Sequence, residues 1–314
     1  MRTGNDAFLI FSGIGSVLVL ASLAGYILKM RVRQAAGVVT VENLNARIRG
    51  WWWITAILGG ALLAGRAAVV VLFAVISFVA LREFLTQTAV RSADHPALLA
   101  SFLIFLPAQY ILVGLGRDDL FVITVPLFCF LALPILIALS GETKDFLPRT
   151  AELLWGLSVC VYFISYVPAV LTLRIPGYEG REVLLIMFLI LVVQAGDVLQ
   201  YVWGKLLGRR KVAPELSPSK TVEGLLGGVA SATALGTGLW WMTPFSILQT
   251  AGMAFVILLA GFLGGLVMSA IKRDRGIKDW SQFISGHGGM LDRLDSLCFS
   301  APLFFHLTRW LLAG

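Results

Sequence analysis

Apolar runs of about twenty residues recur along almost the whole chain, and a run of that length is long enough to cross the hydrocarbon of a bilayer. Candidate spans lie near 7–29, 97–115, 119–139, 151–173, 183–203, 221–241, 245–271 and 296–312. The stretch 51–81 can hold two short spans, or one span with a re-entrant turn at Gly59-Gly60 and Gly65-Arg66. The expected fold is all-α, a polytopic integral membrane protein with about nine or ten transmembrane helices. Composition agrees: 14% of the 314 residues are charged, against about a quarter in soluble domains.

The net charge of +7 is written into a few loops and is no nucleic-acid footprint. One cluster holds Lys29, Arg31, Arg33, Arg47 and Arg49; a second holds Lys205, Arg209, Arg210, Lys211 and Lys220. The third is Lys272, Arg273, Arg275, Lys278 and Arg293. With ten spans all three fall on one face, the cytoplasmic one by the orientation rule, with both termini outside. Cys129, Cys160 and Cys298 lie in or beside apolar runs and read as small packing residues. The first apolar run lacks a small-residue cleavage site before its basic loop and is expected to remain as a first span. No repeat is visible. Residues 1–180 are expected to form a scaffold of helices and 181–314 the chemically active region, within a single integral domain.

Two polar segments interrupt the C-terminal half. In the first, Asp197 closes an apolar run with Gln194 three residues earlier on the same face. A carboxylate left in hydrocarbon costs a few kcal/mol, which marks it as a functional candidate; Tyr201 and Trp203 suit an interfacial belt. Then follow Ser217-Pro218-Ser219-Lys220-Thr221 and, beyond Val222, Glu223-Gly224. Pro218 is expected to stiffen a turn, and Ser217, Ser219 or Thr221 to cap the next helix. Lys220 and Glu223, three apart in a first helical turn, suggest a phosphate-facing cation positioned by the acid. Gly224 leaves room for a ligand or a neighbouring helix.

The second segment, 269–295, packs cations, carboxylates and a His287-Gly288-Gly289 turn between two apolar runs. Asp292 and Asp295 are three apart, so on a helix they share a face and suit one metal ion. Arg293 is expected to point elsewhere, toward headgroups or a neighbouring loop. His287 can ligate metal, contact phosphate or cap backbone. The donor set is oxygen-rich, which favours Mg²⁺ with substrate phosphates completing the shell; no Cys/His spacing suits zinc.

These two segments resemble those of the phosphatidate cytidylyltransferases (CDP-diacylglycerol synthases). The C-terminal pattern S-x-hydrophobic-K-R-x4-K-D … H-G-G-hydrophobic-x-D-R-hydrophobic-D is filled by Ser269, Lys272, Arg273, Lys278, Asp279, His287, Gly288, Gly289, Asp292, Arg293 and Asp295. The earlier one is filled by Asp197, Tyr201, Gly204, Gly208, Ser217, Pro218, Lys220, Thr221, Glu223 and Gly224. The chain departs from the family at Val198, Leu199 and Gln200, where small residues are usual, and at Ser281 and Ser285, where Gly and Pro are usual. The former leave room for a changed lipid or nucleotide preference. Arg82-Glu83, in the less specific N-terminal half, reads as an interfacial ion pair.

The resemblance implies that CTP and phosphatidate react to give CDP-diacylglycerol and pyrophosphate, in phospholipid biosynthesis at a polar cavity on the cytoplasmic face. A bacterial inner membrane suits the short loops, and a homodimer is allowed. Lys220, Asp292 and Asp295 are the expected catalytic groups. Asp292, Asp295, Asp279 and Asp197 are the expected Mg²⁺ ligands. Ser217, Lys220, Thr221, Glu223, Lys272, Arg273, Lys278, His287, Gly288, Gly289 and Arg293 are expected around the substrates. The residues also admit a CTP-dependent kinase of polyprenol-type lipids, or a transporter of an anionic lipid or nucleotide. Clustered carboxylates argue against the transporter, because an anion pathway gains nothing from them without a metal.

Overall fold

The structure is a computed structural model that describes residues 2–31, 35–88, 91–281 and 288–312. Ten helical rods make up the described chain. They are α1 (Arg2–Arg31), α2 (Ala35–Ala64), α3 (Arg66–Thr86), α4 (His95–Leu115) and α5 (Asp118–Ala138). After them come α6 (Phe146–Thr172), α7 (Glu182–Leu207), α8 (Val222–Gly238), α9 (Ile247–Asp274) and α10 (Leu291–Leu312). Among the described residues seven helices are long and apolar enough to cross a membrane: Phe11–Arg31 of α1, together with α3 to α7 and α9. The chain is a helical integral membrane protein, and the described residues hold one small hairpin besides the helices. In it β1 (Lys211–Ala213) pairs antiparallel with β2 (Ser217–Thr221), Lys211 opposite Thr221 and Ala213 opposite Ser217.

The stretch 51–81 resolves into two helices that part at Gly65, whose φ of 99° only glycine adopts without strain. Gly59 and Gly60 stay helical inside α2. Arg66 opens α3 and donates from Nη2 to the carbonyls of Val113 and Gly114 at the end of α4, each at 2.9 Å. Wide π-type turns interrupt α4 at Ser101–Phe105, α5 at Thr124–Cys129 and α6 at Ser158–Phe163. Pro107 and Pro168 follow two of them and Pro126 lies in the third, so the backbone loosens where a ring removes an N–H donor.

Two helix pairs frame the site. Between α7 and α8 the backbones nearly touch: a Cβ at Gly228 would lie 2.5 Å from Gln200 Cα, and one at Gly224 2.8 Å from the Gln200 carbonyl. Gly224 thus admits a helix, as small residues four apart do in membranes. Trp203 fills this seam, packed over Gly227 and donating to Ser231 Oγ at 2.9 Å. Between α9 and α10 the same device recurs, with Gly261 beside Ser296 and Ser300 and Gly264 beneath Phe299. Buried apolar side chains from Leu62 of α2 onward form one contiguous cluster, which includes free Cys129, Cys160 and Cys298.

Candidate active site

At the end of the bundle where α3, α7 and α9 finish and α8 and α10 begin, five elements converge on one polar locus. The Thr221 hydroxyl caps α8 by accepting from Gly224 N at 3.1 Å. Pro218 lies within β2, and the turn is made by residues 214–216 instead. The strand delivers Lys220 across the start of α8 to α9. There its ammonium donates to the Phe262 carbonyl at 3.3 Å and sits 4.8 Å from the centre of the Phe262 ring. Gly265 makes the room, since a Cβ there would come 2.5 Å from Lys220 Nζ. Burial pushes the Lys220 ammonium below its ordinary pKa, while the Asp295 and Asp197 carboxylates pull it back up.

Glu223 does not hold that lysine. It accepts from the backbone of Arg209 at 3.0 Å and of Arg210 at 3.1 Å, so it fixes the basic loop ahead of the hairpin. Arg209 and Arg210 themselves are exposed.

The expectation that Asp292 and Asp295 share one ion meets a different arrangement. Both lie on α10, but Asp292 Oδ1 is paired with Lys272 Nζ at 2.7 Å. Its Oδ2 accepts from Trp280 N at 2.9 Å and Gly289 N at 3.0 Å. Three donors on one carboxylate make it the clasp of the loop between α9 and α10. Asp295, one turn later, faces Lys220 and Lys272. Beside it Asp197 Oδ1 accepts from Ser296 Oγ at 3.0 Å. Asp197 and Asp295 thus approach from opposite helices, with Lys220 between α8 and α9 completing the group.

Glu83 forms a second clasp. From α3 it accepts from Met290 N and Leu291 N, each at 2.9 Å, and from Ser281 Oγ at 2.6 Å. It caps α10 rather than pairing with Arg82, whose side chain is exposed. Both glycines fit against the clasps. Gly288 has φ +77° and lies against Asp292, while a Cβ on Gly289 would meet the Glu83 carboxylate at 2.6 Å. Ser281, unusual for its position, adds a hydrogen bond that glycine cannot make. Trp280 is buried and stacks on Phe84 of α3 with ring centres 5.2 Å apart. Glu83 carried little signal in the sequence beyond being an acid at the end of an apolar run.

A cavity of about 1130 Å³ opens from this locus. Asp197, Lys220, Asp292, Arg293, Asp295 and Ser296 line its polar end. Gln194, Val198 and Gln200 line it as well, with Ser219 and Thr221 at the hairpin. Arg273, Lys278 and Asp279 are exposed and do not line it, which removes Asp279 from the carboxylate group. Ser217 is buried under the hairpin. His287 and Ser285 lie outside the described residues, as does Arg33.

The donor chemistry bears on metal. Among the described residues no set of three or more His, Cys, Asp or Glu side chains forms a complete cage. Asp197 and Asp295 are nevertheless two hard oxygen donors facing one polar space, and Mg²⁺ is commonly held by one or two carboxylates plus substrate phosphates. The residues fit that mode of binding.

Comparison with known proteins places this site in a family. The sequence pattern of the cytidylyltransferase family matches residues 45–311. The chain is 37% identical over 296 residues to the uncharacterized protein YnbB of Escherichia coli (strain K12), covering 94% of this chain and 96% of that one. It is 30% identical over 248 residues to the phosphatidate cytidylyltransferase of Staphylococcus saprophyticus, covering 77% and 90% respectively. The phosphatidate cytidylyltransferase of Aquifex aeolicus is 32% identical over 213 residues, covering 66% of this chain and 80% of its own.

Proposed function

This chain belongs to the cytidylyltransferase family and is a nucleotidyltransferase, and from that premise we propose that it moves a cytidylyl group from CTP to phosphatidate. An ionised oxygen of the lipid phosphate attacks the α-phosphorus of CTP. A new P–O bond forms there, the bond to the bridging oxygen breaks, and its electron pair leaves with pyrophosphate. No general base is required, because a phosphate monoester is already ionised near neutral pH. The protein's task is to bring two anions together and to stabilise the leaving one.

The observation that carries this reading is Lys220 set beside Asp197 and Asp295 at the polar end of a cavity whose other walls are apolar. The ammonium binds phosphate. Asp197 and Asp295 would hold Mg²⁺, which when bound neutralises polyphosphate charge. Ser296 orients Asp197 through its hydroxyl. Asp292 and Glu83 keep the loop before α10 in register, so that Asp295 and Arg293 face the cavity. The polar end faces the cytoplasm of a bacterial inner membrane, where CTP is made.

The test is direct. Purified protein with CTP labelled at the α-phosphate, phosphatidate and Mg²⁺ is expected to render the label extractable into organic solvent. Label remaining in soluble CDP would mean γ-phosphoryl transfer and would replace this reading with a lipid kinase.

A further inference from the structure

The cavity is taller than a headgroup site requires. Its polar end carries Asp197, Lys220 and Asp295, and its far end is lined by Leu239, Trp241 and Met242. Helix α8 joins the two ends, and its 17 residues put about 25 Å between them at 1.5 Å per residue. A single leaflet's hydrocarbon is only roughly 15 Å deep, half of a bilayer core. Beyond Gln194, which lies one turn of α7 from Asp197, the wall is apolar, with Ile14, Val17 and Leu18 of α1, Ile48 and Trp51 of α2, and Leu191 of α7. The α1 residues fall on one helical face. At the far end the backbone is pinned from outside the slot. The Trp241 carbonyl accepts from Arg181 Nη2 at 3.2 Å, and the Met242 carbonyl accepts from the Tyr178 hydroxyl.

We propose that one acyl chain of the lipid phosphate enters this slot, between α1–α2 and α7–α8, and that Leu239, Trp241 and Met242 limit its length. The inference rests on the reading of the polar end as the phosphate site. A slot that is polar at one end only and apolar for the rest of its height suits a molecule with one charged head and one hydrocarbon tail. A nucleotide needs polar partners along its length, and a peptide needs partners for its backbone. Gly13 shows where the slot can be narrowed. It lines the cavity, and a Cβ built on it meets nothing within 4 Å, so a larger side chain there enters the slot without displacing protein.

Two measurements on the full chain in lipid nanodiscs test this. The first is kcat/KM across phosphatidates whose saturated chains run from short to very long. Because bilayer and slot are equally apolar, kcat/KM is expected to change little with chain length until the chain reaches Trp241, and to fall for chains too long to be housed. Trp241→Ala is expected to move that break to longer chains by several carbons, and Gly13→Phe to shorter ones. Breaks that both variants leave unmoved would overturn the slot while leaving the reaction intact. The second measurement reads occupancy without turnover, using phosphatidate with a diazirine on the terminal carbon of one chain. Photolabel is expected on residues 239–242 and should be displaced by excess unlabelled phosphatidate. Label confined to outward side chains such as Leu248 and Trp310, which are 83% and 77% exposed, would overturn the inference. Because the label needs no CTP, it decides the slot even if cytidylyl transfer is absent, an outcome that would defeat the proposed reaction alone.

Discussion

Lys272 at the end of α9 and Asp292 at the start of α10 are joined Nζ to Oδ1 at 2.7 Å, with only 12% and 9% of their side chains exposed. Removing one partner of so enclosed a pair leaves a charge without compensation and costs on the order of 3 kcal/mol. Asp292→Asn also weakens acceptance from the Trp280 and Gly289 N–H groups. We expect this variant to melt several degrees lower in detergent, and the double variant Lys272→Met, Asp292→Asn to recover part of the loss. A double variant with purely additive losses would contradict the pairing.

Asp197→Asn and Asp295→Asn should behave oppositely. Neither carboxylate is clasped by a cation in the way Asp292 is, so folding should survive in both. Each removes one electrostatic element at the reacting phosphates, and turnover should fall about 10²–10³-fold. Titration with Mg²⁺ should show a weaker requirement curve for whatever activity remains. Rates near those of the unaltered protein would remove both carboxylates from the reaction.

The Glu83 clasp predicts a link between residues some two hundred positions apart. Glu83→Gln gives up charge at three donors, and hydrogen bonds to charged groups contribute about 1.5–3 kcal/mol each way they are measured. Gly289→Ala drives a methyl into the same carboxylate. Both should lower the melting temperature and slow turnover together, while Arg82→Gln should do neither. Melting curves for the three variants that coincide with that of the parent would show that the clasp holds nothing.

Lys220 ties activity and stability to pH with opposite signs. Its folded-state pKa lies below the ordinary lysine value of 10.5 because burial disfavours the charge. Phosphate binding needs the ammonium, so activity should fall as pH rises through that lowered pKa. Between it and 10.5 the unfolded chain binds more protons than the folded one, so stability should rise with pH over the same window. Lys220→Gln should abolish most activity and the stability increment, whereas Arg209→Gln should leave both in place. Equal losses at the two positions would mean that the loop acts through bulk charge.

The helices that carry the site were legible because their apolar runs are long and their boundaries are marked by charge. Four features were not, and each depends on partners that local spacing does not show. Gly59-Gly60 and Gly65-Arg66 look alike in hydropathy, but only Gly65 breaks the helix, where Arg66 reaches the carbonyls at the end of α4. Asp292 and Asp295 are equivalent by spacing, and Lys272 separates them by taking the first. The role of Glu83 rests on α3 lying against the start of α10. Local spacing suggested that Glu223 served Lys220, yet the hairpin turns Glu223 toward the backbone of Arg209 and Arg210.

The glycine seams have a mechanical consequence. Between α7 and α8 the backbones touch where Gly224 and Gly228 meet Gln200, and Gly261 and Gly264 let α10 come close enough that only Ser296, Phe299 and Ser300 lie between it and α9, which leaves little side-chain freedom at either contact. Each pair is one stiff jaw. Asp197 and Lys220 belong to the first jaw and Lys272, Asp292 and Asp295 to the second, with the Ser296–Asp197 and Lys220–Phe262 hydrogen bonds reaching across. The site is therefore built like a caliper, in which any change of angle between the jaws is registered first as a change in the gap between Asp197 and Asp295.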